Sequence, residues 1–367
     1  MSHPETMQAV LLTGHGGLDR LKVRTDVAVP EPGAGEVLVR VGAAAINNTD
    51  INTRIAWYSK GVTEGTTGEG GAAGVSGADE GDASWAGSAL RFPRIQGIDV
   101  CGRIEAVGEG VARERIGERV LVEPCLREPV GWAPYRCWFL GSECDGGFAD
   151  YVAVPAVHAY RIDSPLSDIE LASFPCAWST AENMLTRADL QAGERVLVTG
   201  ASGGVGSAAV QLAARRGAEV LAVTGRAKAD AVRALGADRL FERDADLAGV
   251  LGPESVDVVV DLVGGPVWPH VPTILRRGGR YAVAGAIGGP LVEMDIRTLY
   301  LKDLSLHGCA VLEREVFANL VGYIERGEVR PLVAETYPLS EIVKAQEAFL
   351  AKGYVGKIVL VPDALYA

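Results

Sequence analysis

Apolar and polar positions alternate at a spacing near two over residues 8–12, 21–24 and 35–41, with Gly14-His15-Gly16-Gly17 and Pro30-Glu31-Pro32-Gly33 between them. Such runs between tight turns predict short strands and an antiparallel, barrel-like start over the first 55 residues. More short strands are predicted at 103–107, 119–122 and 147–154. The pattern changes near Ser164. Residues 167–185 read as one helix, with Ser167 as N-cap and Glu170 three residues on, a capping-box spacing. Beyond it, strands at 195–199, 219–223, 256–262 and 280–284 alternate with helices at 207–216 and 228–235. Continuous apolar strands alternating with helices predict an α/β chain with a doubly wound parallel sheet. The tail, 337–362, carries one helix and the strand 357–361, and no internal repeat is found.

Residues 61–88 break this rhythm. Nine of these 28 positions are Gly, most others are Ala, Ser, Thr, Asp or Glu, and Trp85 is the one aromatic. Such a composition buries too little apolar area to offset its ordering entropy. It predicts a long flexible loop, either a lid or a disordered segment.

Composition narrows the function classes. At 367 residues the chain predicts two or three domains, and enough core to fold without disulfides or metal staples. A formal net charge of −12 opposes binding to nucleic acid or to an anionic membrane surface. There is no run of 18 apolar residues for a membrane span, and the first residues lack the basic-then-apolar pattern of a secretory signal. Six scattered cysteines fit reduced thiols and a cytoplasmic location.

The strongest local signal is Val196-Leu197-Val198-Thr199-Gly200-Ala201-Ser202-Gly203-Gly204-Val205-Gly206, between a predicted strand and a predicted helix. A turn without Cβ atoms lets a pyrophosphate approach the backbone, and the helix start offers free N–H groups and the positive end of its dipole. Gly200, Ser202, Gly203, Gly204, Val205 and Gly206 are therefore candidate dinucleotide contacts, the strand–turn–helix setting being what the motif requires. The next strand ends Thr224-Gly225-Arg226-Ala227-Lys228, without the acid that would take a ribose 2′-hydroxyl. Thr224, Arg226 and Lys228 instead suit a 2′-phosphate, so the predicted cofactor is NADPH.

The order of parts, with Ile46-Asn47-Asn48-Thr49-Asp50-Ile51-Asn52-Thr53-Arg54-Ile55-Ala56-Trp57-Tyr58, Gln96-Gly97-Ile98-Asp99-Val100-Cys101-Gly102, Asp145-Gly146-Gly147-Phe148-Ala149-Asp150-Tyr151-Val152, the glycine turn and Gly356-Lys357-Ile358-Val359-Leu360, resembles the medium-chain dehydrogenase/reductase superfamily over nearly the whole chain. Within it the chain is most similar to the zinc-free quinone oxidoreductase and enoyl reductase branch. The resemblance implies a GroES-like catalytic barrel over 1–164, a Rossmann dinucleotide-binding domain over 165–310, and a return to the catalytic domain over 311–367. It implies a homodimer or homotetramer paired through an edge strand near 305–312, and a small-molecule substrate.

Zinc-dependent relatives place Cys at the position of Asn47, His-Glu at Ile98-Asp99, and a third ligand at Cys176. One thiolate without its partners cannot form a three-ligand zinc site, so no metal is expected. None of the five histidines lies in a ligand-like motif, and Cys125, Cys137 and Cys144 lack the close spacing of a structural zinc lobe, so that stretch reads as a packed loop. The resemblance makes Asn47 a contact to ribose or substrate carbonyl, sets Thr180 against the nicotinamide, and adds Lys357 to the cofactor contacts. Tyr58 is a candidate proton donor, and related reductases also carry a Tyr where this chain has Asn52. The expected reaction is zinc-independent hydride transfer to an activated C=C or a quinone. An alcohol dehydrogenase or carbonyl reductase of the same fold, and an NADPH-binding protein without turnover, remain the alternatives.

Overall fold

The structure, a computed structural model, describes residues 3–66 and 69–366. Met1 and Ser2 of the amino-terminal stretch, and Thr67 and Gly68 of the glycine-rich segment, lie outside the described residues. The first part runs β1 (Thr6–Leu12), β2 (Leu21–Ala28), β3 (Glu36–Ala45), α1 (Asn48–Arg54), α2 (Glu69–Ala73), β4 (Arg94–Ile95), β5 (Cys101–Val107), β6 (Arg119–Val122), β7 (Cys125–Leu126), β8 (Trp138–Phe139), β9 (Tyr151–Pro155) and β10 (Ala159–Arg161). Next come α3 (Asp168–Leu171), α4 (Pro175–Arg187), β11 (Arg195–Val198), α5 (Gly204–Arg215), β12 (Glu219–Val223), α6 (Ala229–Arg233), β13 (Arg239–Phe241), α7 (Leu247–Leu251), β14 (Val256–Asp261), α8 (Val271–Ile274), β15 (Leu275–Val283), α9 (Ile296–Leu301) and β16 (Ser305–Gly308). The tail adds α10 (Val316–Glu325), β17 (Val333–Pro338), α11 (Ile342–Ala351) and β18 (Lys357–Val361).

Two architectures result. The long β3 pairs antiparallel with β5, β9 and β18, in a sheet ordered β10-β6-β5-β3-β18-β17. Strands β2, β1 and β4 form a smaller antiparallel sheet. The second half is a parallel sheet ordered β13-β12-β11-β14-β15-β16. Its strands are buried on both faces. Val196, Val198, Val220, Ala222, Val258 and Val260 pack into the larger core, while the alternate positions Leu197, Leu221, Val223 and Val259 pack into a second one. Side-chain period two makes one strand serve both cores. The fold is thus α/β, a doubly wound sheet beside a mainly antiparallel barrel-like half.

Three sequence expectations are corrected. The helix expected over 167–185 is two, because Pro175 opens α4 as a first-turn residue and cannot continue α3; the Ser167–Glu170 capping box is present, with Ser167 N–H donating to Glu170 Oε2 at 2.8 Å. The first 55 residues are not all strand. Asn47 caps α1, and its N–H donates to Asp50 Oδ2 at 2.8 Å.

The third correction concerns the disordered reading of residues 61–88: the segment is a long loop carrying α2, and its described residues are tied to other elements. Fully buried Arg54 donates to Gly16 O at 2.7 Å, Gly71 O at 2.6 Å and Gln346 Oε1 at 3.0 Å. The indole of Trp57 donates to Glu64 O at 2.8 Å, and Thr66 N–H to Ile287 O at 3.1 Å. Val62, Thr66, Ala83 and Ser84 are buried. Glycine lets backbone approach backbone here, as a Cβ on Gly65 would come within 2.4 Å of Ile287 O. The segment lacks a core of its own and is held through carbonyls that other elements satisfy.

Burial lowers the Arg54 guanidinium to about 10. Arg54→Ala leaves the Gly16 and Gly71 carbonyls and Gln346 without their donor. We expect it to cost about 2–4 kcal/mol in urea denaturation and to make 61–88 the first site of limited proteolysis. A variant with wild-type stability and cleavage pattern contradicts this role.

Candidate functional site

Four segments converge on one buried cation. Lys357, at the start of β18, donates from Nζ to Asn47 Oδ1 at 2.5 Å and to Asp99 Oδ2 at 2.9 Å. Asn47 Nδ2 donates to the same Asp99 oxygen at 2.8 Å. The other oxygen, Asp99 Oδ1, accepts the Cys176 N–H in the first turn of α4 at 2.6 Å. Asn47, Asp99 and Lys357 are all buried. Desolvation holds the Cys176 thiol well above its ordinary value, with the Asp99 carboxylate adding to the effect, so it is a neutral thiol. Thr180 lies one helical turn on from Cys176, half-buried on α4.

The glycine turn lies against this cation. Gly200 takes φ +59°, a conformation that glycine adopts without cost. A Cβ on Gly206 would strike Gly200 O at 2.2 Å, and one on Gly204 would meet Lys357 Cδ at 2.8 Å. Ser202 is buried, and its carbonyl accepts the Gly356 N–H at 3.1 Å. Gly203 caps α5, and no side chain caps its first turn by a hydrogen bond, where half-buried Val205 lies. The amides there remain available to an anion.

Further cations crowd the end of β12. Thr224 is buried, and its hydroxyl has no hydrogen-bond partner. Lys228 donates to Lys352 O at 2.5 Å; burial, then the charge of Arg243, lowers its ammonium below the ordinary value. Lys352 donates to Asn48 Oδ1 at 3.2 Å. Burial, then the charges of Lys228 and Lys357, pushes Lys352 down to about 7. Arg226 turns outward into an exposed pair with Glu242, its Nε at 2.9 Å from Oε1. An orphaned hydroxyl, uncapped amides and like charges facing one another are what a phosphate-bearing dinucleotide would satisfy.

Tyr58 is half-buried in an aromatic wall, its ring centroid 5.0 Å from Trp85, which in turn is 4.1 Å from Phe139. Asn52 Nδ2 lies 3.5 Å from the phenol oxygen. The phenol at 58 therefore reaches the side chain at 52, where related reductases carry their own tyrosine. Burial raises the phenol well above its ordinary value, so it is protonated throughout the neutral range.

Of the residues predicted from sequence, Asn47 and Lys357 bond directly, the glycine turn abuts Lys357, and Lys228 faces the same crevice. Arg226 is engaged elsewhere. Sequence reasoning missed Lys352, Arg243 and the anchoring role of Asp99. Lys352 stands four residues before Gly356, a spacing that draws no attention without the fold. Among the described residues no three His, Cys, Asp or Glu side chains gather into a cluster able to hold a metal ion. The six cysteines are free, and Cys125, in β7, and Cys137, immediately before β8, are buried. No helix is long and apolar enough to cross a membrane among the described residues.

Comparison with known proteins agrees with this layout. Residues 33–164 match the alcohol dehydrogenase GroES-like domain, and residues 204–326 match the zinc-binding dehydrogenase family. The chain is 30% identical to the acryloyl-coenzyme A reductase of Metallosphaera sedula, over 96% of this chain and 99% of that one. It is 29% identical to the quinone oxidoreductase of Lama guanicoe, over 96% and 97%. A crystal structure provisionally assigned as an alcohol dehydrogenase from Sinorhizobium meliloti superposes with a TM-score of 0.86 at 48% identity, covering 98% of each chain.

Asp50 supplies a pH test of the buried wall. Its carboxylate accepts Asn47 N–H at 2.8 Å and Gly97 N–H at 3.3 Å. Burial outweighs these bonds and lifts it from 3.8 to about 7. The fold keeps this proton up to about pH 7, whereas the unfolded chain loses it near 4. Stability from this group is full below that lower value and is lost as pH rises to the upper one, at a limiting slope of about 1.4 kcal/mol per pH unit. Urea midpoints should therefore decline less between those limits in Asp50→Asn than in the wild type. Parallel curves for the two proteins contradict a protonated Asp50.

Proposed function

The chain belongs to the medium-chain dehydrogenase/reductase superfamily, on its quinone oxidoreductase and enoyl reductase branch, and from that membership we propose its chemistry more finely. It is an oxidoreductase that uses a nicotinamide cofactor and a small-molecule substrate. The finer reading is NADPH as reductant, no catalytic zinc, and an activated carbon–carbon double bond or a quinone as acceptor. Residues 165–310 would form the cofactor half, and 1–164 with 311–367 the catalytic half.

One observation carries this reading. The ammonium of Lys357 lies on Asn47 and Asp99, beside the Cys176 backbone. Zinc-dependent relatives keep metal ligands at the positions of Asn47, Ile98 and Cys176. An amide, an alkyl group and a neutral thiol are a poor donor set for zinc, and a fixed positive charge beside them repels a second one. The end of β12 supports NADPH: Thr224 is unpartnered, and Lys228 stands opposite Arg243. A 2′-phosphate there relieves the repulsion between these cations.

A nicotinamide held in that crevice would supply a hydride. The chain does the rest by holding and protonating. The first turn of α5 and Lys357 take the pyrophosphate charge. Asn47 and Thr180 set the orientation at the nicotinamide end. The substrate's own conjugated carbonyl accepts the developing charge, which is why no Lewis acid is required. Tyr58 then gives a proton to the α-carbon. The edge strand β16, with exposed Leu306 and with exposed Ile296, Tyr300 and Leu301 on α9, supports pairing of subunits into a dimer or tetramer.

Purified protein should oxidise NADPH with enones or quinones, and chelation followed by metal analysis should leave that rate unchanged. Loss on chelation with recovery on zinc overturns the metal-free reading. Turnover of simple aldehydes alone selects the alcohol dehydrogenase or carbonyl reductase alternative. Lys228→Ala should weaken NADPH by about ten- to a hundred-fold, the worth of one or two charge-assisted hydrogen bonds, and leave NADH affinity unchanged. Equal effects on both coenzymes contradict a 2′-phosphate contact. Leu306→Glu should shift the sedimentation coefficient toward the monomer, and an unshifted oligomer excludes β16 from the interface.

A further inference from the structure

Asp261 closes β14 with a fully buried carboxylate that the chemistry above does not use. Each of its hydrogen bonds is to a donor. Oδ1 accepts the Thr199 hydroxyl at 2.6 Å, the Val263 N–H at 2.9 Å and the Gly264 N–H at 3.2 Å. Oδ2 accepts the Tyr281 hydroxyl at 2.7 Å and shares the Gly264 N–H at 3.2 Å. Thr199 stands immediately before Gly200 of the glycine turn, and its oxygen accepts the Leu262 N–H at 2.9 Å. A hydroxyl has one proton, and here it goes to the carboxylate. A buried carboxylate is costly unless donors surround it, so the chain after β14 turns back to supply them.

These bonds shape one wall of the crevice. Leu262, Val263 and Gly264 turn their amides inward, and Gly265 donates its own to Gly289 O at 3.2 Å. Gly288 N–H donates to Val263 O at 2.8 Å. The half-buried Leu262 and Val263 side chains lie beside the glycine turn, where a Cβ on Gly200 would meet Val263 Cγ2 at 3.5 Å and Leu262 Cβ at 3.7 Å. The turns after β11, β14 and β15 thus form one surface at the carboxyl ends of the parallel strands. Thr66, from the glycine-rich segment, donates to Ile287 O on that surface at 3.1 Å. In the strand order, β12 flanks β11 on one side and β14 on the other. A dinucleotide lies across such a point with one nucleotide on each side. The end of β12 carries Thr224 and Lys228, proposed for the 2′-phosphate of the adenosine side. The ends of β14 and β15 are left for the nicotinamide side. We propose that Asp261 is a positioning residue: by tying the turn after β14 to Thr199, it fixes the wall against which the nicotinamide nucleotide is held. The inference rests on the cofactor reading of this crevice, and on NADPH for the choice of probe.

Asp261→Asn keeps the size of the side chain and turns one acceptor into an N–H group that opposes its donors. In titrations of the purified protein it should weaken NADPH by about ten-fold or more. The dissociation constant of 2′,5′-ADP, which carries the adenosine side alone, should stay unchanged. Thr199→Val cuts the tie to the glycine turn and should move the ratio of the two affinities in the same direction, and Thr199→Ser should restore it. Tyr281→Phe leaves both turn amides bonded and should leave the ratio unmoved. A residue that only stabilises the fold lowers the urea midpoint without changing that ratio. An unchanged ratio in Asp261→Asn therefore overturns the proposal, as do equal losses of both ligands. Should Asp261→Asn fail to fold, Thr199→Val and Thr199→Ser decide by the same ratio. If the wild type binds NADH and not NADPH, the NADPH reading fails, while the ratio of NADH to AMP affinities still decides the role of Asp261. If it binds neither coenzyme, the cofactor reading and the proposal fail together.

Discussion

A lysine ammonium buried among an amide, a carboxylate and a glycine turn constrains this molecule more than any other group. Taking Lys357 out of water costs several kcal/mol unless its protons find oxygens. Asp99 and Asn47 supply them, and Asp99 spends its second oxygen on the amide of Cys176. The last strand, the β3–α1 junction, the turn before β5 and the first turn of α4 are thereby fixed to one another through three side chains. Gly204 follows from the same constraint, because any Cβ there would displace the lysine stem. The start of α5 and the barrel-like half thus meet at a contact that tolerates little change.

That contact also explains how an acidic chain can attract an anionic ligand. The formal charge is −12, yet Lys228, Lys352, Lys357 and Arg243 converge around the mouth of the parallel sheet. Like charges raise one another's energy in proportion to their burial, so the crevice stores repulsion that a phosphate group releases. Lys352 carries the largest share, being pushed down to about 7 by burial and by its two lysine neighbours. A phosphate held there would favour the protonated form of this residue.

Much of this was legible in the chain, for identifiable reasons. Strands at 119–122, 219–223 and 357–361 follow from short apolar runs whose side-chain period is two, and the observed bounds are the same. The glycine turn is readable because backbone approach demands absent Cβ atoms in a fixed order. The break before Pro175 is explicit in the sequence, yet helical periodicity on both sides hides it. Strand β17 escapes notice because its burial depends on β18 lying alongside, not on its own pattern. Lys352 and Arg243 look like ordinary solvated cations until the topology brings them to one crevice. Arg54 looks like a partner for Asp50 four residues earlier, whereas it spends its donors on distant carbonyls and Gln346.

Residues 61–88 are legible as a long loop but not as an ordered one. Composition says that they cannot build a core, and they do not: their order is borrowed. Arg54 binds their backbone from α1, Ile287 accepts from Thr66 across the cleft, and Thr49 receives the one indole they carry. A segment held in this way has few apolar contacts to lose, so it opens at lower cost than the sheets beneath it. Its opening would also withdraw Trp85 from Thr49. Composition alone cannot reveal that order, because the groups that impose it belong to other parts of the chain.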